Sequence, residues 1–559
     1  MKKTTGLSLI AAATLLAGCA TSTAPTMAVN TEPVKVRVLA INDFHGNLRP
    51  PRGGIRIADK ANPGKTINVD AGGSEHLATA LAQLRLGNPN NVMVAAGDLI
   101  GATPLLSALF RDEPTIESLG MMGLEIAAVG NHEFDKGATE LLRMQNGGCH
   151  PTEGCKGPGT FKGASFQYLA ASTVVEKTGK TLLPAYKVKS FQGIPVAFIG
   201  LTLEATPSIV VPAGVAGLKF RDEADTVNEL VPVLRKQGIE AIVVLIHEGG
   251  FATGDYNECP GISGPIVDIV KRLDKAVDLV ISGHTHRAYN CRIDGRLVTS
   301  ADKYGTVVSA IDIEIDPKTR DITSAVADNV IARTSFAKDP RQTALIEQYE
   351  KLVVPLAKRV VGRIGAALPR NSNPAGESPL GQVIADAQLA ATRAPEDGGA
   401  QVAFMNPGGI RADLPMPADG QVRYEDLFSV QPFYNNLVTM TLSGTQLLQL
   451  LEAQWLGQPG SGRILHVSRG FTYTWDASKP PGQRVVPGSV RLNGQPVKPG
   501  DSVRVTVNSF VAGGGDNFAI FKEGKNVRTG AMDVDALEAY VRNNPTVQPG
   551  ALDRIVRLN

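Results

Sequence analysis

The sequence predicts an α/β layered N-terminal domain followed by an α+β C-terminal domain. Three observations point to this. At 559 residues the chain is too long for one hydrophobic core, so two large domains are the expectation. Through the first half, short apolar runs end in polar, glycine-bearing turns, with helical patterns between them. Around residues 335–365 that alternation gives way to a different mixture of helices and hairpin-like strands.

The first residues read as a targeting segment. Lys2 and Lys3 precede a short apolar stretch, Leu7 to Ala17, which is too short to span a bilayer. "LAGC", Leu16 to Cys19, resembles a lipobox. That resemblance implies a signal peptide over 1–19, lipid on Cys19 and a bacterial lipoprotein held to a membrane by that lipid alone. With Ala20 after the cysteine, the expected place is the periplasmic side of a membrane, the outer membrane included. Residues 20–33 read as a flexible tether. Export permits disulfides. Cys149 and Cys155 bracket a short loop and form the natural first pair, which leaves Cys259 with Cys291; four cysteines allow three pairings.

From 34 to 335 the runs "VKVRVLAINDFHG", "NVMVAAGD", "AAVGNHEFD", "PVAFIGLT", "AIVVLIHEGG" and "VDLVISGHTH" read as buried strands. "GGSEHLATALAQLRLG" and "TVNELVPVLRKQG" read as helices covering them. In such folds ligands gather at the strands' carboxyl ends. Residues 336–360 read as a linker helix, and 361–559 as a second domain with helices such as "SPLGQVIADAQLAATR" and strands such as those in "GSVRLNGQPVKPGDSVRVTVNSF". A net charge of +2 gives no reason to invoke a nucleic-acid duplex as partner.

The strand ends carry the chemistry. Asp43 and His45 follow the first run, Asp98 the second, and Asn131, His132 and Asp135 the third; His247 follows the fifth, and His284 and His286 the sixth. Of eight histidines in the chain, five fall at these ends, which a random scatter would not produce. D-x-H, GD, GNHE, H and GH-x-H, in that order, resemble the calcineurin-like metallophosphoesterases. The resemblance implies a four-layer α/β/β/α domain and two divalent metal ions of the zinc, manganese or cobalt kind. Hydrolysis of a phosphate ester needs an attacking oxygen deprotonated near neutral pH and positive charge against an anion. Two cations about 3.5–4 Å apart supply both, and imidazole and carboxylate suit them. By the resemblance Asp98 bridges the metals; Asp43, His45 and His286 complete one site, and Asn131, His247 and His284 the other. His132 would serve the transferring phosphoryl group or the leaving oxygen, oriented by Asp135. Glu133 suggests only a structural role, and the residues after Asp135 read as a solvated turn.

In the second domain "MNPGGIRADLP", "SVQPFYNNL" and "VNSFVAGGGDNF" resemble stretches of the 5′-nucleotidase C-terminal domain. Phe433 and Phe510 would sandwich a base. Arg411 would fork onto phosphate or ribose oxygens, and Asn406, Asn435 and Asp516 would hydrogen-bond sugar or base. Arg370 stands near a position where the family carries a further arginine. Tyr434 departs from the family, many of whose members have Gly there. The resemblance implies a nucleotide substrate bound between domains that rotate about the linker helix, and hydrolysis of nucleoside 5′-monophosphates. UDP-sugars and 2′,3′-cyclic or 3′-nucleotides are the alternatives on the same architecture; a sulfur-compound hydrolase and a non-catalytic surface binding protein are further ones.

Overall fold

The computed structural model describes residue 1, residues 32–458 and residues 462–559. Cys19, the expected lipidation site, and nearly all of the expected signal and tether segments lie outside the described residues.

Two six-stranded sheets form the centre of the N-terminal domain. The first runs Ile322–Ile331, Val307–Ile315, Val34–Ile41, Asn91–Ala95, Leu124–Ala128, Gln167–Leu169. The second runs Ala288–Ile293, Arg296–Ala301, Leu279–Ser282, Ala241–His247, Ile194–Thr202, Tyr186–Phe191. Along Val34–Ile41 the side chains alternate between two cores. Val36, Val38 and Ala40 meet Phe198, Val243 and Leu245 of the other sheet, whereas Leu39 and Ile41 meet Leu77, Leu81 and Leu119 from covering helices. On its far face the second sheet packs on the helices Glu223–Lys236 and Pro265–Arg272 through Val227, Val231 and Ile266. The layers are therefore α/β/β/α. The central strands, such as Asn91–Ala95, Ala241–His247 and Leu279–Ser282, are buried and largely apolar because both their faces are covered, and each buried Val, Leu or Ile contributes about 1.5–3 kcal/mol.

The central strands of each sheet are parallel. Parallel pairing sends every carboxyl end, and the turn after it, to the same side. This is what gathers residues from 43 to 286 at one place.

The helix Pro340–Ala357 starts where Asp339 accepts the Arg341 and Gln342 N–H groups, with Pro340 at its first position. Its Ile346 enters the N-terminal core, and its Leu345, Tyr349, Val353 and Ala357 enter a core shared with the C-terminal domain. The linker is thus packed into both domains. Beyond it, a five-stranded sheet, with Ser502–Asn508 at its centre, packs on the helix Pro379–Thr392. A four-stranded sheet lies beside it. The disulfides are Cys149–Cys155 and Cys259–Cys291.

Candidate metal centre and substrate cleft

Seven side chains from five strand ends converge. Asp43, His45 and His286 form one cluster of potential ligands, and Asp98, His247 and His284 a second. Asp98 Oδ2 stands between them, 3.0 Å from His247 Nε2 and 3.7 Å from His45 Nε2. Asn131 Oδ1 is 3.1 Å from His247 Nε2, and His286 Nε2 is 3.3 Å from Asp43 Oδ1. Asp43, His45, Asp98 and Asn131 come from the first sheet; His247, His284 and His286 come from the second.

The surroundings fit divalent cations. His45 and His247 each hold Nδ1 2.8 Å from a backbone carbonyl, of Gly101 and Ala96 respectively. That bond places the proton on Nδ1 and turns the Nε2 lone pair to the centre. Asp43 Oδ2 accepts from Asn42 Nδ2 at 2.7 Å and from the His284 N–H at 2.9 Å. Its Oδ1 is buried with no hydrogen-bond partner, a costly state that a cation would relieve. Asp98 Oδ1 accepts the His132 N–H at 2.9 Å, leaving Oδ2 for the centre.

Burial disfavours charge on His45, His284 and His286; it lowers all three pKa values, to about 3 for His284, and keeps the imidazoles neutral. At His247 burial is outweighed by Asp98, and the pKa is raised to about 10. A cation there competes with that proton. Burial also raises Asp43. It opposes charge on Asp98 too, but His247 and His132 hold that carboxyl well below its usual range.

Five of the potential ligands hold left-handed backbone: Asp43 (φ 49°), His45 (φ 43°), Asp98 (φ 50°), His284 (φ 70°) and His286 (φ 54°). Non-glycine residues rarely adopt it, and each instance costs about 1–3 kcal/mol. Something must hold the turns. Glu133 Oε2 accepts the N–H groups of Gly130 at 2.7 Å and Asp98 at 3.0 Å, and its Oε1 accepts that of Leu99 at 2.8 Å. The structural role expected of Glu133 is therefore specific: it joins the Asp98 turn to the Asn131 turn. Gly130 is needed there because a Cβ would come within 2.9 Å of Asp98 Cγ. Asn42 does similar work, bonding Asp43, the Asp302 carbonyl and the Ala301 N–H.

Beside the centre, His132 Nδ1 lies 2.8 Å from Asp135 Oδ2. Burial resists protonation of His132, but Asp135 and Asp98 outweigh it and raise its pKa. The turn after Asp135 is solvent-accessible, Lys136 being exposed. Lys136 pairs with the buried Asp112 at 2.9 Å, and Gly137 caps the helix Ala138–Asn146.

The C-terminal domain closes over this point. The Phe433 ring stacks on His132, with centroids 5.7 Å apart and planes 20° from parallel. The Arg411 guanidinium lies 5.7 Å from the Phe433 centroid. Its Nε is buried without a partner, and its charge depresses the pKa of His45 and His286. Phe510 is half-buried and lies over Gly515, where a Cβ would collide with the ring. Tyr434 holds φ 55° and packs on Phe428; this left-handed position is one that glycine adopts most readily.

The other expected pocket residues are differently engaged. Asn406 donates to Asp516 Oδ2 at 2.7 Å and accepts from Asn508 at 2.9 Å. Asp516 is also paired with Arg463. Asn435 accepts from the Ser509 hydroxyl at 3.0 Å. Arg370 is exposed and braces the glycine loop, donating to the Ile410 carbonyl at 3.1 Å. Sequence reasoning missed Asn42 and Arg463. The first sits inside "INDFHG", where its side-chain amide was available as a signal; the second carries no motif.

A family profile described as calcineurin-like phosphoesterase matches residues 36–288, and one described as 5′-nucleotidase, C-terminal domain, matches residues 359–523. A cell wall protein of Listeria monocytogenes is 31% identical over 97% of this chain and 71% of its own. An endonuclease of Bacillus subtilis is 33% identical over 92% of this chain, which spans 40% of that relative's length. The crystal structure of a 5′-nucleotidase precursor from Thermus thermophilus superposes with a TM-score of 0.75 at 26% identity, covering 94% of this chain and 99% of that one. The chain belongs to the family that joins a calcineurin-like phosphoesterase domain to a 5′-nucleotidase C-terminal domain.

Proposed function

We propose that the protein is a metal-dependent phosphohydrolase that converts a nucleoside 5′-monophosphate and water to a nucleoside and phosphate. The observation that carries this reading is the meeting of both ligand clusters at Asp98, directly beside a His132 covered by Phe433 of the other domain. Asp43, His45 and His286 would hold one divalent ion, and Asn131, His247 and His284 the other, with Asp98 shared. When bound, such ions supply Lewis-acid charge against the phosphoryl oxygens and lower the pKa of the attacking water.

The remaining roles fall to the chain's own groups. Arg411 faces the anion from the second domain. Asp135 fixes the His132 tautomer through Nδ1, and Nε2 hands its proton to the leaving 5′-oxygen as the P–O bond breaks. Phe433 and Phe510 flank the base. Asn406, Asn435 and Asp516 line the nucleoside end, and Arg370 acts through the glycine loop. The domains themselves, 34–335 and 361–559 joined by 336–360, divide the work between metal and nucleoside. The identity to an endonuclease favours a second activity on phosphodiesters, 2′,3′-cyclic nucleotides included. Two disulfides suit an exported protein, and lipid on Cys19 would tether it.

A phosphate-release screen over 5′-, 3′- and cyclic nucleotides and UDP-glucose tests the reading. AMP or UMP is expected to be turned over, the activity to vanish with EDTA, and Zn²⁺, Mn²⁺ or Co²⁺ to restore it. Full activity after dialysis against EDTA would contradict the metal mechanism. Base stacking is worth about 1–3 kcal/mol, so Phe510→Ala should raise KM about tenfold with little change in kcat. An unchanged KM for every nucleotide would remove Phe510 from the cleft.

A further inference from the structure

Two cations flank the glycine-rich loop at the nucleoside end, and the hydrolysis of a 5′-monophosphate uses neither. Arg463 lies against Asp516 Oδ1. Its partly exposed guanidinium has five N–H donors, and Asp516 is its sole side-chain partner among the described residues. Asp516 Oδ2 accepts separately from Asn406 at 2.7 Å, so Arg463 serves Oδ1 alone and keeps the rest of its fork. Lys522 runs along the same loop; a Cβ on Gly514 would come within 3.0 Å of its Nζ. Lys522 is exposed and has no carboxylate partner among the described residues.

The segment bearing Arg463 is fastened to that loop. Gln458 Nε2 donates to the Asp516 carbonyl at 2.8 Å, and Asn517 Nδ2 donates to the Gly457 carbonyl at 3.2 Å. Asp516 and Asn517 hold φ 56° and 63°, so the loop is bent into one strained shape, with Arg463 set against it from a separate segment and Lys522 from the short helix Ala519–Glu523 that follows it. Gly408 of the Arg411 loop and the Phe510 ring border it: a Cβ on Gly408 would stand 3.6 Å from Asp516 Oδ2. On the nucleotidase reading, with the base on Phe510 and Asp516 at the nucleoside end, this loop borders the ribose side of the cleft.

We propose that the Arg463–Lys522 turn is a second phosphate subsite, and that the preferred substrates carry a further phosphoryl group on a ribose hydroxyl. This rests on the nucleotidase reading and names its substrate class. A guanidinium fork held by one carboxylate on one edge keeps its other edge for bidentate contact with phosphate. Lys522 adds a point charge. A 5′-monophosphate leaves that subsite unused; a nucleoside 3′,5′-bisphosphate fills it.

The test compares kcat/KM for AMP and adenosine 3′,5′-bisphosphate, followed by release of the 5′-phosphate. In the wild type the bisphosphate is expected to be favoured about tenfold, through a lower KM. Arg463→Met and Lys522→Gln should each reduce that preference, and the double variant should abolish it. Turnover of AMP without any preference for the bisphosphate, or a preference unmoved in the double variant, would overturn the subsite and leave the nucleotidase reading standing. No turnover of any nucleotide would instead sink the nucleotidase reading. Because the readout is a ratio of two substrates within each variant, a general loss of folding or of nucleoside binding cancels.

Discussion

Asp98→Asn is expected to lower kcat about a thousandfold while changing KM severalfold at most. The carboxylate presents Oδ2 to both ligand clusters, whereas Oδ1 accepts the His132 N–H. An amide keeps the size and one acceptor oxygen but removes the negative charge that the two clusters share. Loss of several kcal/mol of transition-state charge stabilisation corresponds to about three decades of rate at about 1.4 kcal/mol per decade. On the proposed reading the nucleoside is held by the other domain, which is why KM should be spared. Steady-state kinetics with AMP reads both parameters. A variant with wild-type kcat would mean that Asp98 does not join the clusters.

Glu133→Gln should be the most damaging substitution at a residue that is not itself a proposed ligand. The carboxylate receives three backbone N–H groups, from Gly130, Asp98 and Leu99. A side-chain amide has one acceptor oxygen, and its NH₂ would face a buried N–H. Leaving buried donors unsatisfied costs about 1–3 kcal/mol each, so a loss of about 3 kcal/mol and a fall in Tm of about 6 °C are expected. The effect should not stop at stability. Asp98 holds φ 50° because its turn is clamped, and loosening such a partner weakens metal affinity about 10–100-fold. Thermal unfolding and metal titration of the same variant separate the two consequences. Unchanged metal affinity with lowered Tm would confine Glu133 to the fold.

Much of this centre was legible in the chain. Strands buried on both faces are apolar without interruption, so "AIVVLIHEGG" and "VDLVISGHTH" announce themselves, and parallel pairing then delivers His247, His284 and His286 to one side. Residue types with strong coordination chemistry stood out at those ends. Glu133 was legible as a residue but not as a clamp, because its partners are backbone N–H groups whose positions exist only after folding. The left-handed backbone of Asp43, His45 and Asp98 was invisible for a related reason: no glycine marks it, and tertiary bonds hold it.

The substrate cleft was less legible. The chain marks Phe433 and Phe510 as aromatic but not that Phe433 also stacks on His132 across the domain boundary. Nor does it show that Asn406 and Asp516 bond each other. Polar groups gathered in a cleft satisfy one another first, and a sequence gives their identities without that pairing. Arg463 comes from a loop with no motif, and only its contact with Asp516 brings it forward.

Metal content measured beside structure tests the central claim most directly. Purified protein, loaded with Zn²⁺ or Mn²⁺ and freed of excess ion, should carry two equivalents per chain, with two anomalous peaks in its crystals, one among Asp43, His45 and His286 and one among Asn131, His247 and His284. Asp98→Asn should bind both ions more weakly. A single equivalent, or ions held elsewhere, would contradict a shared two-metal centre.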